Sequence, residues 1–133
     1  MSSSSEGPAG GARSAALLFP GTHGAADAER ATLPFIMAAT AVANGYRAVV
    51  IATADAVTLG LPDVADSVAA DGLPPLLDLH HQLVAGGGEL WLSAESALRR
   101  GITGDRQLLP GTTIVGPARI VEALATGRSL TLG

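Results

Sequence analysis

The chain has 133 residues, enough for one domain, and is 47% hydrophobic but only 3% aromatic, so its core must consist mainly of Ala, Val, Leu and Ile. The formal net charge is −4, and the eight basic residues are all arginines scattered along the chain, which excludes the basic stripe of a nucleic-acid-binding protein. There is no cysteine, which excludes disulfides, thiolate metal sites, thiol nucleophiles and a cysteine-borne persulfide.

The N-terminal residues 1–13 are rich in Ser and Gly and predict a disordered tail, followed by a single α/β domain over residues 14–133. The tail lacks the basic and apolar regions of a signal peptide. No apolar run reaches the roughly 18 residues that span a membrane. We therefore expect a cytoplasmic protein.

The stretch Ala15–Phe35 organises the predicted fold. It contains a short buried strand, Ala15–Phe19, then a Pro-Gly-Thr-His-Gly loop, then the start of a helix over Asp27–Asn44. Pro34 predicts either a kink or a helix that begins near Leu33. The helical spacing predicts a buried stripe of Leu33, Ile36, Met37, Thr40 and Ala41. We expect the first strand to lie centrally in the sheet, with its loop facing the ligand crevice.

The rest of the chain alternates apolar strands with helices, which predicts an α/β fold with a mostly parallel sheet and helices on both faces. The second predicted strand is continuously apolar and β-branched, as is typical of a strand buried on both faces. The predicted elements are strand Ala48–Thr53, a helical turn and surface loop within Ala56–Ala70, helix Leu76–Ala85, strand Glu89–Leu92, short helix Ala97–Arg100, strand Thr112–Val115, helix Pro117–Thr126 and edge strand Ser129–Leu132.

Four segments resemble the DsrE/DsrF-like family in their order and spacing. They are PGTHGAADAERATLPFIMAATAVANGYRAVVIATADAV, DGLPPLLDL, GGGELWLSAESALRRGI and TTIVGPARIVEAL. The resemblance spans roughly Ala15 to Ala125. It implies a flavodoxin-like, three-layer α/β/α sandwich of about five strands that assembles into trimers or hexamers.

Some members of this family carry sulfur as a persulfide on a cysteine that follows the third strand, and some have a second cysteine three residues on. The resemblance places Ser93 and Ser96 at the corresponding positions. A serine hydroxyl forms neither a persulfide nor a disulfide. The sulfur-relay activity of cysteine-bearing relatives is therefore not expected here.

Polar residues follow the first three predicted strands: His23, Asp55 and Ser93. A strand order of 2-1-3 would place His23 between the other two, at the carboxyl edge of the sheet. This is the composition of an Asp-His-Ser triad, with His23 and Ser93 as candidate catalytic residues. The Gly-x-Ser-x-Gly elbow of such hydrolases is missing. We therefore favour a ligand pocket lined by these three residues together with Thr22 and Ser96.

Each of these residues also has a structural interpretation. His23 is also explained by a bond to its own loop, and Ser93 and Asp55 by capping the segments that follow them. Ser96 fits an exposed hydroxyl in the first turn of a helix. These alternatives stay open at the level of sequence.

No cofactor and no metal ion are expected. His80 and His81 are consecutive on a predicted helix, so at most one faces inward and they cannot share a metal as an i, i+4 pair could. The loop around His23 matches neither the P-loop nor the dinucleotide fingerprint. Trp91, on the third strand, is predicted to pack under a helix or at a subunit interface.

These observations predict a non-redox protein that binds a small molecule or anion, or acts in assembly, as a homo-oligomer, most simply a trimer. One alternative is an enzyme with hydrolase-like chemistry at Ser93 and His23. Another is an accessory subunit that joins a cysteine-bearing paralogue in a sulfur-relay complex. Neither nucleic acid nor membrane is an expected partner.

Overall fold

The structure of the protein, a computed structural model, describes residues 15–129. The predicted disordered tail over residues 1–13 lies outside the described residues, as does most of the predicted edge strand Ser129–Leu132.

The described chain alternates strands and helices as predicted. The elements are β1 (Leu17–Gly21), α1 (Ala28–Ala43), β2 (Ala48–Ala52), a 3-10 segment (Ala54–Gly60), α2 (Pro62–Asp66), α3 (Leu76–Ala85), β3 (Glu89–Ser93), α4 (Ala94–Arg99), β4 (Thr112–Val115), α5 (Pro117–Thr126) and β5 (Arg128–Ser129). Four strands of four or five residues build the sheet, and β5 is limited to two residues. The flavodoxin-like α/β fold is confirmed.

The sheet is parallel throughout, with strand order β4-β3-β2-β1-β5. The expectation that β1 lies between β2 and β3 is therefore wrong, because β2 occupies that place. From β1 to β4 every connection steps in the same direction, which leaves β1 near one edge. Only the last connection crosses back over the sheet, and it places β5 beside β1.

Strand β1 contains a proline, because it extends through Pro20 and Gly21 and so ends two residues later than predicted. Pro20 has no N–H to give to a sheet, so it is tolerated where one side of the strand is unpaired. Within residues 15–129, β5 pairs with Leu17 and Leu18, and no described residue pairs with that side of β1 from Phe19 onward.

The direction of the connections also decides which face of the sheet each helix covers. Right-handed connections that step one way place their helices on one face, and a connection that steps back places its helix on the other. Phe19 and Val50 accordingly belong to a large core with Phe35 of α1. The opposite face has a smaller core, covered by Ile120 and Ala123 of α5 and formed by Leu18, Val49, Ile51, Trp91 and Val115.

Two local predictions need correction. Helix α1 begins at Ala28, capped by the Asp27 side chain, and runs through Pro34 rather than starting near Leu33. Its predicted buried stripe is also displaced, because Met37 is exposed while Phe35 is buried. Nearly every side chain of this Ala-rich helix is small or apolar, so its sequence specifies the buried face poorly.

The segment Ala56–Ala70 contains the predicted helical turn, but the surface loop expected there is wrong, because Val57, Leu59 and Val68 are buried. Gly60 allows this burial: a Cβ built on it would lie 2.8 Å from Leu92 Cδ1. A residue typical of loops thus marks a close approach between the 3-10 segment and β3.

Of the two adjacent histidines, His80 is fully buried and His81 is exposed, as the spacing predicts. His80 Nε2 donates to the Pro110 carbonyl oxygen at 2.7 Å, and His80 Nδ1 is buried with no partner in the described chain. Burial lowers the pKa of His80 from its ordinary value of 6.5, against the opposing effect of the Pro110 hydrogen bond. Burial therefore favours the neutral form of the ring in the folded protein.

Acidification should destabilise the protein through His80. Below pH 6.5 the unfolded chain binds a proton that the folded chain does not, so the free energy of unfolding falls as pH falls. We expect a loss of about 1 kcal/mol between about pH 7.5 and 5.5 in urea unfolding, most of it absent in His80→Gln. His81→Asn is the matched control and should retain the loss. An equal loss in His80→Gln would contradict this assignment.

Candidate functional site

The carboxyl ends of β1, β2 and β3 meet at one edge of the sheet, because all three strands run in the same direction. His23 follows β1, Asp55 follows β2, and Ser93 is the last residue of β3. Since β2 is the middle strand, the segment that carries Asp55 separates the His23 loop from Ser93. The predicted arrangement, with His23 in the middle, is not formed.

The His23 loop is attached closely to the segment after β2. Thr53 N–H donates to the Gly21 carbonyl oxygen at 2.9 Å. Gly24 is buried, and a Cβ built on it would lie 2.8 Å from the Asp55 carbonyl oxygen. Only glycine permits this contact, so the position of His23 depends on the 3-10 segment beneath its loop.

Ala54 joins the ends of β2 and β3. It has a left-handed backbone with φ of 51°, the only non-glycine residue with positive φ in the described range 15–129. This conformation costs about 1 kcal/mol for a residue with a Cβ. The Ala54 N–H donates to Ser96 Oγ at 2.9 Å. Ser96 therefore holds an unfavourable turn in place, and its hydroxyl is committed to that contact.

Asp55 is paired with Arg100, which lies just after α4. Arg100 Nη2 and Nε donate to Asp55 Oδ1 at 2.8 and 3.3 Å, and Arg100 Nη1 donates to the Ser96 carbonyl oxygen at 3.1 Å. Arg100 was missed at the sequence level. Its signal there is weak: it belongs to the one adjacent pair of arginines, at the end of the short helix after β3.

His23 and Ser93 retain hydrogen-bonding capacity. His23 is half-buried, and its Nδ1 shares a hydrogen bond of 3.1 Å with the exposed Thr22 hydroxyl, which leaves Nε2 available. Ser93 occupies the N-cap of α4, but its side chain makes no cap hydrogen bond. The capping interpretation of Ser93 therefore does not describe its hydroxyl, which is half-buried and uncommitted.

The contacts of a catalytic triad are absent from this edge. Asp55 is bonded to Arg100 and His23 to Thr22, and within residues 15–129 no hydrogen bond joins any two of His23, Asp55 and Ser93. That same part of the chain contains no cluster of three or more His, Asp or Glu side chains able to hold a metal ion.

The fold and the residues of this edge define a class of protein. It is a parallel α/β sandwich with polar groups at the carboxyl ends of its first three strands. The DsrE/DsrF-like family matches residues 15–131, and the chain belongs to that family. A comparison with curated protein sequences returned no match.

Two solved structures share the fold. The ychN protein from E. coli is 16% identical, with a TM-score of 0.72, and the match covers 87% of this chain and 97% of that one. MTH1491 from Methanobacterium thermoautotrophicum, a protein of unknown function, is 18% identical, with a TM-score of 0.66, and the match covers 88% of this chain and 97% of that one. At these identities the similarity concerns the fold alone.

Membership places the chain in a family related to sulfur relay, but the complete sequence has no cysteine on which to carry sulfur. No helix within the described residues is long and apolar enough to cross a membrane.

The two serines should respond differently to removal of their hydroxyls. Ser96→Ala leaves the Ala54 N–H without its partner, so we expect a loss of about 1 kcal/mol in the free energy of unfolding. Ser93→Ala removes no hydrogen bond and should change stability by less than about 0.5 kcal/mol. Chemical denaturation of both variants measures the difference, and an equal loss in the two would refute these roles.

Proposed function

We propose that this protein is a non-redox member of its family that binds a small polar molecule or anion at the carboxyl edge of β1–β3, through His23 and Ser93. The observation that carries the proposal is Ser93, a half-buried residue at a helix N-cap whose hydroxyl makes no hydrogen bond within the described chain. Serine at this position ordinarily bonds the helix. A bound ligand would supply the missing partner.

In this proposal the other polar residues of the edge hold the loops and the two binding residues in position. Ser96 holds the Ala54 turn, and Arg100 holds Asp55. Thr22 orients the His23 ring by its bond to Nδ1, so that Nε2 remains for the ligand.

The hydrolase-like alternative lacks the contact it needs. A general base must lie within hydrogen-bond reach of its nucleophile, and the residues described here contain no hydrogen bond between His23 and Ser93. Binding therefore explains the edge better than catalysis.

Thermal-shift screening with metabolites and inorganic anions tests the binding proposal. At about 100 times its dissociation constant, a ligand stabilises the folded protein by about 2.7 kcal/mol, enough to raise Tm clearly. Ser93→Ala and His23→Ala should each weaken binding by about tenfold, which corresponds to about 1.4 kcal/mol. Ser67→Ala removes a hydroxyl that bonds within its own helix region, and it should leave the shift unchanged. A screen without any shift of the wild type would defeat the proposal, as would shifts that all four proteins share.

Self-assembly is the second part of the proposed function, and exposed apolar side chains support it. Leu98 of α4 is 71% exposed, and Val121 of α5 is 64% exposed. Large apolar side chains on helix surfaces are frequently buried by assembly. Together with the resemblance to ring-forming relatives, they favour a trimer or a hexamer in which a neighbouring copy covers α4.

The solution mass tests assembly directly. Light scattering after gel filtration should give three or six times the 13.2 kDa of one chain. Leu98→Asp should shift the mass toward the monomer, whereas Ala69→Asp, at an exposed position on another surface, should not. A monomeric wild type would refute the homo-oligomer. Assembly only with a co-expressed cysteine-bearing paralogue would instead favour the accessory-subunit alternative.

A further inference from the structure

A cavity of about 350 Å³ lies between α5 and the amino ends of β1–β3, at the opposite end of the strands from His23 and Ser93. This volume is within the range of small-molecule sites, about 300 to 1,000 Å³. Its walls include Leu18, Val49, Glu89, Trp91, Arg119 and Ala123. Apolar side chains of the sheet thus form one wall, and charged groups lie around it.

Trp91 is held on two sides. Its Nε1–H donates to Glu89 Oε1 at 2.9 Å, and the Arg119 guanidinium lies 4.7 Å from the centre of the ring. The first contact fixes the ring in its plane, and the second is a cation–π contact. The indole is therefore an ordered wall of the cavity, with its one polar atom already bonded.

Arg119 is a cation whose donors remain unused within the described chain. It is exposed on α5, and its guanidinium carbon lies over the Trp91 ring, with no ion pair or hydrogen bond to another described residue. The N–H groups lie in the guanidinium plane and form a fork that matches a carboxylate or phosphate. Stacking on the indole reduces the freedom of this fork and so prepares it to bind an anion.

The charge around the cavity also favours an anion. Arg119 lines it, and among the described lining residues the carboxylate is Glu89, one of whose oxygens already accepts from the indole. Ala16 and Ala123, both half-buried, offer an apolar surface beside Arg119. A ligand with both a charged group and an apolar body would use both features.

We propose that this cavity binds a small organic anion, with its carboxylate or phosphate on Arg119 and its apolar body against Ala16 and Ala123. The site is separate from the one under the proposed function, and neither depends on the other. Arg119, Ala123 and Thr126 present one stripe of α5 to the cavity, at i, i+4 and i+7 spacing. The helix that covers the second face of the sheet is thus also the wall that carries the anion-binding group.

The protein provides its own probe, because Trp91 is its only tryptophan. Titration of the full chain with benzoate and with phenyl phosphate should produce a saturable change in tryptophan fluorescence, with a dissociation constant of about 1 mM or below for at least one of them. Benzyl alcohol, which lacks the charge, and acetate, which lacks the aromatic body, should bind at least about tenfold more weakly. The better of the two aromatic anions identifies the preferred acid group.

Variants distinguish binding at this cavity from a general effect of the protein's charge. Arg119→Gln should weaken binding of the aromatic anion by at least about tenfold, and Arg99→Gln, which removes an exposed arginine elsewhere, should not. Ala123→Leu keeps every charge but fills the cavity, and it should also weaken binding. Calorimetry on the same variants guards against a change in Trp91 emission caused by loss of the stacked arginine.

Three results would overturn the proposal. They are no saturable response to either aromatic anion at about 10 mM, equal binding of acetate and benzoate, and unchanged affinity in both Arg119→Gln and Ala123→Leu. Because His23→Ala and Ser93→Ala leave this cavity untouched, binding of benzoate by those variants shows whether the two sites fail separately.

Discussion

The central position of β2 is the constraint on which the rest of this structure depends. All five of its residues are buried, because it pairs with β1 on one side and β3 on the other and is covered by helices on both faces. The point at which β2 ends determines how the adjacent loops pack against one another. The strand stops at Ala52, and Ala54 then turns into a left-handed conformation that is held by Ser96. The His23 loop is packed against the segment that follows.

The sequence patterns predicted the elements well and their arrangement poorly. Strand β4 and helix α5 have the predicted bounds, because a β-branched run and a Pro-to-Gly helix are strong local signals. The strand order was predicted wrongly, because alternating strands and helices are compatible with connections that step in either direction. The burial of the 3-10 segment was hidden for a related reason. Gly60 and Pro62 mark loops locally, but here they permit close packing and begin a helix.

For the candidate site, too, the positions of the residues were predicted better than their contacts. His23, Asp55 and Ser93 could be placed at one edge because each follows a strand, and the structure brings their segments together there. The sequence could not show which of the two serine hydroxyls makes a hydrogen bond. Ser93 has the better sequence position for a cap, yet its side chain makes no cap hydrogen bond, whereas the Ser96 hydroxyl accepts from Ala54 at the start of the 3-10 segment. Arg100, 45 residues from Asp55 along the chain, could be recognised only from the folded contact.

The two faces of the sheet are protected unequally. The first is covered by α1 and α3 with many fully buried side chains. Among the described residues the second is covered by α5, none of whose residues is fully buried. Elements with few buried contacts open at a lower free energy than the core. Hydrogen exchange in α5 would therefore proceed through local opening, while the amides of β2 would wait for global unfolding. The second face of the sheet is thus the part of the domain that its own chain can most readily expose.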